Sequence, residues 1–171
     1  FYTKGYNLFI SGTNKDKLQS LKEKYTERLD FAYCDLSRNS DIEKLINSAE
    51  KYFGNVDILV NNAGIAKDNL FLRISENDWN QVININLNAN FLITKLVLRN
   101  MVKQRWGRII NISSDASKIG NPGQTNYNSL YQALTATESE PDPTTPTSWP
   151  VASGTTHTLQ YPSSGTDLET T

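Results

Sequence analysis

Apolar residues along the first 114 positions fall into blocks of two kinds. Short, mostly apolar runs at 7–11 (NLFIS), 29–35 (LDFAYCD), 56–64 (VDILVNNAG) and 107–114 (GRIINISS) read as strands. Between them the spacing turns helical. Leu18, Leu21 and Tyr25 share one face of 14–25, where Asn14 stands as a cap. Residues 40–54 open on Ser40 with Glu43 three places on, the pattern of a capping box, and stop at Gly54. Residues 75–107 read as one long helix with a short helix before it, and FYTKGYN at the start reads as the tail of a helix that stops at Gly5.

Strands alternating with helices predict a parallel sheet with right-handed crossovers, layered α/β/α. Such sheets bind ligands at the carboxyl ends of their strands. Here those ends read SGTN, CDLS, NNAG and SSDAS, all small and polar.

The pattern stops near residue 130. From Thr135 onward there are 11 threonines and five of the six prolines, with no sustained period of either kind. Such a segment buries too little apolar surface to offset its ordering entropy, so residues 131–171 are expected to form a disordered tail behind a folded unit at 1–130. Charge breaks at the same place. Residues 1–118 hold all 17 Lys and Arg, and residues 119–171 hold none. The net charge of −1 gives no general attraction to nucleic acid or to an anionic membrane, and no apolar run approaches the roughly 20 residues of a span. With one cysteine (Cys34) and one histidine (His157), neither an intrachain disulfide nor a zinc site is expected, and a reducing compartment fits.

Several residues at the strand ends carry candidate chemistry. Gly64 in NNAG lets the backbone approach a ligand or take a positive φ, and Asn61 and Asn62 can tie neighbouring loops together, although a plain strand-end turn reads the same. Asp35 could accept from an adenine amino group or serve as a turn aspartate. Asn84, Asn86, Asn88 and Asn90 lie inside a helical run that asparagine disfavours; most should face solvent, but a buried one could hold a water or distort a turn. Ser114 and Tyr127 lie 13 residues apart across a Gly/Pro loop, and a phenol with a hydroxyl could donate a proton to a reduced ketone while holding its oxygen. A phenol ordinarily titrates near ~10, so this chemistry wants a cation beside it, and four residues on stands Tyr131. The end of the strand at 7–11 carries no acid to repel a 2′-phosphate, and Thr13 with Lys15 could bind one. The basic run Lys95, Arg99, Lys103, Arg105 and Arg108 suits the end of a helix or an acidic partner.

In order and spacing, NNAG, Asn86 in NINL, GRIINISS and Tyr127 in GQTNY resemble the short-chain dehydrogenase/reductase family, over about residues 1–130. The stretches NNAGIAKDNLFLRISENDWNQVININL and NPGQTNY look most like its 3-oxoacyl-acyl-carrier-protein reductases. The resemblance implies a Rossmann-like fold and NADPH-dependent reduction of a 3-oxoacyl thioester in fatty-acid biosynthesis, in the cytoplasm or an organellar matrix. It implies Asn86, Ser114 and Tyr127 as catalytic residues and Asp35, Asn62, Ala63 and Gly64 as cofactor-binding, and Ser11 and Thr13 join them at the 2′-phosphate end. It also implies Arg105 as a docking residue for acyl-carrier protein, and a homo-oligomer formed through the long helix. No metal, nucleic acid or membrane enters this reading.

Three departures from the family follow. Tyr131 stands where the family has its catalytic lysine. The glycine-rich phosphate loop is missing because the chain begins after it. The tail replaces the last two strands. The expected product is therefore a partial sheet without first and last strands and an inactive fragment. The alternatives are a non-catalytic remnant that binds a partner subunit and a frame-shifted product with no function. In the family's strand order the first strand lies between those at 7–11 and 56–60. The strand at 7–11 is expected to move across and pair with the one at 56–60, in a chain of low thermal stability.

Overall fold

A computed structural model describes residues 1–112, 124–127 and 156–158. A 3-10 turn at Tyr2–Lys4 ends on Gly5 in the left-handed region and leads into β1 (Leu8–Gly12), α1 (Lys15–Lys24), β2 (Leu29–Tyr33), α2 (Asn39–Phe53) and β3 (Ile58–Asn61). A 3-10 turn at Phe71–Arg73 precedes α3 (Glu76–Ile83), which runs through a π turn at Asn84–Asn88 into α4 (Ala89–Lys103) and then β4 (Arg108–Ile112). β5 (Thr156–Thr158) is the last described element.

The helix ends show which local signals decide. Asn14 caps α1 by accepting from the Lys17 amide at 2.9 Å, and Ser75 caps α3 by accepting from the Asp78 amide. The capping box at Ser40 does not form. α2 starts at Asn39 with Arg38 as its cap, because the chain arrives through a turn closed by the Arg38 amide on the Asp35 carbonyl. That turn begins the helix before Ser40 can serve. Gly54 stops α2 as expected.

The strands form parallel pairs: β1 with β2, with Leu8 opposite Leu29 and Gly12 opposite Tyr33, and β3 with β4, with Ile58 opposite Arg108 and Asn61 opposite Asn111. β1 does not move across to β3; among the described residues the pairs share no ladder. The expected slide fails because β1 keeps its pairing with β2, while α1 packs on both strands. The tail also departs from expectation at one place. Thr156–Thr158 lies antiparallel on the outer edge of β4, Thr158 opposite Ile110 and Thr156 opposite Ile112. An open sheet edge is a template for backbone pairing.

Side-chain alternation sets the layers. Phe9, Ala32 and Cys34 on one face of β1–β2 join Leu59 and Ile109 of β3–β4 in one apolar cluster beneath Ile42, Leu45 and Ile46 of α2 and Ile93, Val97 and Met101 of α4. α1 covers the opposite face of β1–β2, where Leu18 and Leu29 are buried outside that cluster. The matching face of β3–β4 carries Val60 and Ile112, both about two-fifths exposed (41% and 42%). The result is an α/β/α arrangement in which α2 and α4 bridge the two strand pairs.

Helix α4 ends without the usual glycine. The Trp106 amide returns to the Met101 carbonyl and the Arg105 amide to that of Val102, the two bonds of a Schellman cap. The left-handed position falls on Arg105, φ 56°. Gly107 then passes so close beneath Met101 that an added Cβ would lie 2.5–2.7 Å from its Cγ, Sδ and Cβ.

Two outcomes follow. Arg105→Gly should raise stability by about 1 kcal/mol, because an L-residue held left-handed costs roughly that much, whereas Gly107→Ala should lower it by about 1–3 kcal/mol through overpacking; denaturant midpoints of both variants measure this. Burial, helped by the Asp41 and Asp35 carboxylates, pushes the Cys34 thiol from 9.0 up to about 11. The folded state thus favours the neutral thiol, and the stability this gives is complete below pH 9.0 and lost as pH rises through about 11. Native chain at pH 8 should resist alkylation by iodoacetamide, and urea-unfolded chain should label fully.

Candidate active site

Four strand ends, aligned by the parallel registers, form one edge of the molecule. Ser11 stands near the end of β1 and Thr13 just beyond it, both exposed. Lys15, in the first turn of α1, stands over the Tyr33 ring at 5.1 Å from its centroid. After β2 comes Asp35. Its Oδ1 accepts from the Ser37 hydroxyl at 2.7 Å and the Ser37 amide at 3.0 Å, and Oδ2 lies 3.5 Å from Arg38 Nε. The Ser37 hydroxyl, then its amide, with Arg38 adding to them against slight desolvation, hold the carboxyl below its ordinary range. Asp35 is thus engaged as a turn aspartate of its own loop, and an adenine amino group would have to share it.

After β3 the chain exposes Asn62, Ala63 and Gly64 while burying Asn61. Asn61 donates to Asn111 Oδ1 on β4 at 2.8 Å and reaches the Thr94 hydroxyl of α4 at 3.4 Å. These bonds clip the two strand ends together beneath the exposed loop.

The loop itself is clamped from two sides. Asn86, in the middle of the π turn and 2% exposed, accepts the Ile65 N–H and donates to the Ile65 C=O, both at 2.9 Å. The π turn leaves the Asn86 main-chain carbonyl facing Asn90, whose side-chain Nδ2 donates to it at 2.8 Å. Asn84 and Asn88 are exposed and bond each other. Of the four asparagines in this run two, Asn84 and Asn88, face solvent, Asn90 is half-buried, and the buried Asn86 sits where the helix is distorted. π turns recur at functional sites for this reason, since one extra residue re-aims a side chain without breaking the helix.

From the other side, residues 124–127 dock on the same loop. Gln124 donates to Asp68 at 3.0 Å, and Asn126, fully buried, donates to the Lys67 carbonyl at 3.3 Å and accepts the Tyr127 amide at 2.9 Å. Lys67 in turn lies 3.7 Å from Asp78 on α3. The segment that follows β3 therefore links Asn86 to the residue immediately before Tyr127. Ser114 and Tyr131 lie outside the described residues. Asn111 and Asn126 were not singled out from the sequence. Their partners are 50 and 59 residues away, and only the GQTNY motif hinted at Asn126.

The basic run at the end of α4 divides. Lys95, Arg99, Lys103 and Arg105 are exposed. Arg108 instead donates to the Gly107 carbonyl and stacks on Trp106, and Gln104 is bound to Asp57. Phe91, Leu98 and Val102 form an exposed apolar stripe beside these cations.

The donor set at the strand ends suits an anionic, flat ligand: two hydroxyls, one ammonium, and exposed backbone flanked by small side chains. Among the described residues no helix crosses a membrane on length and apolarity.

A model of the short chain dehydrogenase family matches residues 1–137. The 3-oxoacyl-[acyl-carrier-protein] reductase FabG of Rickettsia conorii is 43% identical over 72% of this chain and 49% of its own length. The protein of the same name from Aquifex aeolicus is 42% identical over 76% and 54%. Nodulation protein G of Rhizobium meliloti is 41% identical over 74% and 51%. Among solved structures, a gluconate 5-dehydrogenase from Burkholderia cenocepacia in complex with NADP and tartrate superposes with a TM-score of 0.71 at 28% identity, over 79% of this chain and 54% of that one. The chain thus spans about half the length of the curated relatives it matches.

The clamp on Ile65 has a measurable weight. Asn86→Leu, close in size, should leave the Ile65 N–H and C=O unpaired and lower stability by about 2–6 kcal/mol, at about 1–3 for each of the two groups. Asn86→Asp keeps the acceptor but loses the donor and brings a charge into a site 2% exposed, so at pH 7 it should be destabilised at least as much as Asn86→Leu in a urea melt.

Proposed function

The chain belongs to the short chain dehydrogenase family, and we propose that it carries the strand-end edge of an NADPH-dependent oxidoreductase that reduces 3-oxoacyl groups held on acyl-carrier protein. The observation that carries this reading is the loop at 64–68, held between the buried Asn86 and the Asn126–Tyr127 segment. Relatives named as FabG reductases support the substrate class.

In this reading Tyr127 gives its phenolic proton to the substrate oxygen, and Ser114 donates a hydrogen bond to the same oxygen. NADPH, when bound, supplies the hydride that completes the hydroxyl product. Asn86 acts differently from its two companions. Both halves of its amide are engaged with Ile65, so it is a positioning residue that fixes the loop against which Tyr127 is set. Ser11, Thr13 and Lys15 receive the 2′-phosphate end of the cofactor, and the exposed Asn62–Ala63–Gly64 backbone lies along it. Asp35 contributes to the adenine end only by sharing its Ser37-bonded carboxylate.

Arg105 is the docking residue for the acidic carrier, together with Lys103 and Arg99. Its left-handed backbone ends α4 and sets it apart from the helical array. The apolar stripe Phe91, Leu98 and Val102 supports a second copy on α4, and the same stripe favours the reading of a non-catalytic, subunit-binding remnant. The compartment that fits is the cytoplasm.

The chain by itself should not turn over. Position 131 is tyrosine, so the lysine that would stabilise a tyrosinate is not at the family's place. Acid–base assistance alone is worth roughly 10²–10⁴-fold, and cofactor positioning more. In an NADPH-oxidation assay with an acetoacetyl thioester, the purified chain and Tyr131→Lys should both sit at background while the Rickettsia conorii reductase turns over. Turnover by the unmodified chain would overturn the inactive-fragment reading. Fluorescence titration should show residual binding of NADPH exceeding that of NADH and lost in Ser11→Asp; equal binding of both would remove the NADPH assignment.

A further inference from the structure

A β-strand turns its main-chain groups to its two edges in alternation. In β2 two bonds fix which groups face inward. The Arg28 carbonyl accepts from the Leu8 amide, and the Cys34 amide donates to the Gly12 carbonyl. The even-numbered residues from Arg28 to Cys34 therefore bond toward β1, and Leu29, Phe31 and Tyr33 turn their N–H and C=O groups the other way. Among the described residues no strand pairs with that outer edge. The outer edge of β4, by contrast, is covered by Thr156–Thr158.

The outer edge of β2 is closed by side chains instead. Lys22 Nζ donates to the Leu29 carbonyl, and Asp30 Oδ1 accepts from the Phe31 amide at 2.8 Å. The two side chains also hold each other, with Lys22 Nζ 3.1 Å from Asp30 Oδ2, and they are only 31% and 16% exposed. They come from opposite faces of the strand. Lys22 belongs to α1, which covers the face of Leu29, whereas alternation sends Asp30 out on the face of Ala32 and Cys34. To meet, they must cross the edge itself. The two groups they take are the pair that one residue of an added parallel strand would bond. Such a residue would donate to the carbonyl before Asp30 and accept from the amide after it. Here an ammonium supplies the donor and a carboxylate the acceptor, so the ion pair fills the place of one strand residue.

We propose that the Lys22–Asp30 pair is an edge guard, which keeps β2 from pairing with the β2 of a second copy of this chain. The second copy is the occupant that the edge itself specifies. Its outward groups are centred on Phe31, so two such edges related by a two-fold axis match antiparallel. Phe31 would stand opposite Phe31 of the other copy, Leu29 opposite Tyr33, and Asp30 opposite Ala32. Aromatic and apolar residues then meet across the join, and no two like charges do. Lysines and inward-pointing charges on edge strands oppose such pairing, and here the two devices act as one bonded unit. Removing the Lys22 charge frees the Leu29 carbonyl and leaves Asp30 without its partner, which opens the edge. This guard is independent of the oxidoreductase reading.

Sedimentation velocity of the 171-residue chain, run beside Lys22→Met, Lys22→Arg and the double variant Lys22→Met/Tyr33→Pro, tests this. Methionine keeps an apolar stem and drops the ammonium, while arginine keeps the charge and the donor. Proline at position 33 removes an outward amide and leaves the ladder to β1 intact. Lys22→Met should self-associate at least ~10-fold more tightly than the unmodified chain and form a dimer that Lys22→Arg does not. In isotope-labelled Lys22→Met, amide exchange at Phe31 and Tyr33 should slow as chain concentration rises, and in the unmodified chain it should not. The double variant should return to the association state of the unmodified chain. Equal association of Lys22→Met and unmodified chain would overturn the proposal. So would a dimer that Tyr33→Pro leaves undiminished, since its contact would lie elsewhere, as on the stripe of Phe91, Leu98 and Val102. If Lys22→Met precipitates, soluble yield replaces association state as the readout. Recovery in the double variant is then the expected result, and no recovery counts against the guard.

Discussion

Two strand pairs that share no ladder bond are held as one structure by a single apolar layer. Cys34, Phe9 and Ala32 from one pair and Leu59 and Ile109 from the other pack under the same two helices, α2 and α4. Burial of this kind is non-directional, so it can join pieces that backbone bonding leaves apart. Everything at the strand ends depends on it, because the loops after β1, β2 and β3 share one edge only while both pairs sit on that layer. A polar bond between α2 and α4, the Asn100 amide on the Glu50 carboxylate at 2.6 Å, fixes the lateral position of the helices where the apolar contacts alone would let them slide.

On this base the site is assembled by amides rather than by charges. Asn61, Asn86, Asn111 and Asn126 each join segments distant in sequence, and three of them are buried. An amide offers a donor and an acceptor at once, so it can satisfy a buried peptide group in both senses without carrying a charge into the interior. The pairing of Asn86 with Ile65 is the fullest case. It lets an irregular loop lie against a helix without orphaned backbone groups, and it lends that loop the rigidity of the helix.

Local signals in the sequence were legible where local physics decides. Asn14 caps α1, Gly54 ends α2, and the alternation of strands and helices gives the layered fold. Ser40 misled because Asp35 and Arg38 close a turn just upstream, and a cap signal carries no information about the chain that precedes it. The position of β1 misled for a different reason. Pairing with β2 is reinforced by α1, a cooperation between three elements that no single stretch announces. The tail's composition likewise gave no sign that Thr156–Thr158 would lie on β4, since an open edge selects for backbone and not for side chains. Of the candidate site, the buried asparagine in the helical run was visible as an anomaly of propensity, while Asn111 and Asn126 were not, because their partners are set by tertiary structure alone.

The turn from α4 into β4 has a consequence for how this fold can change over evolutionary time. Between Met101 and Arg108 the path is fixed at every step: a Schellman cap, a left-handed Arg105, a glycine lying under Met101, and the Arg108 amide on Asp57. A strand's faces alternate at every residue, so one residue gained or lost here would turn β4 over. Ile109 would leave the core for the open face, Arg108 or Ile110 would enter it, and Asn111 would swing away from Asn61. Substitutions in this turn are graded in their effect, but a change of length is all or nothing. Insertions and deletions should therefore be purged between 104 and 107.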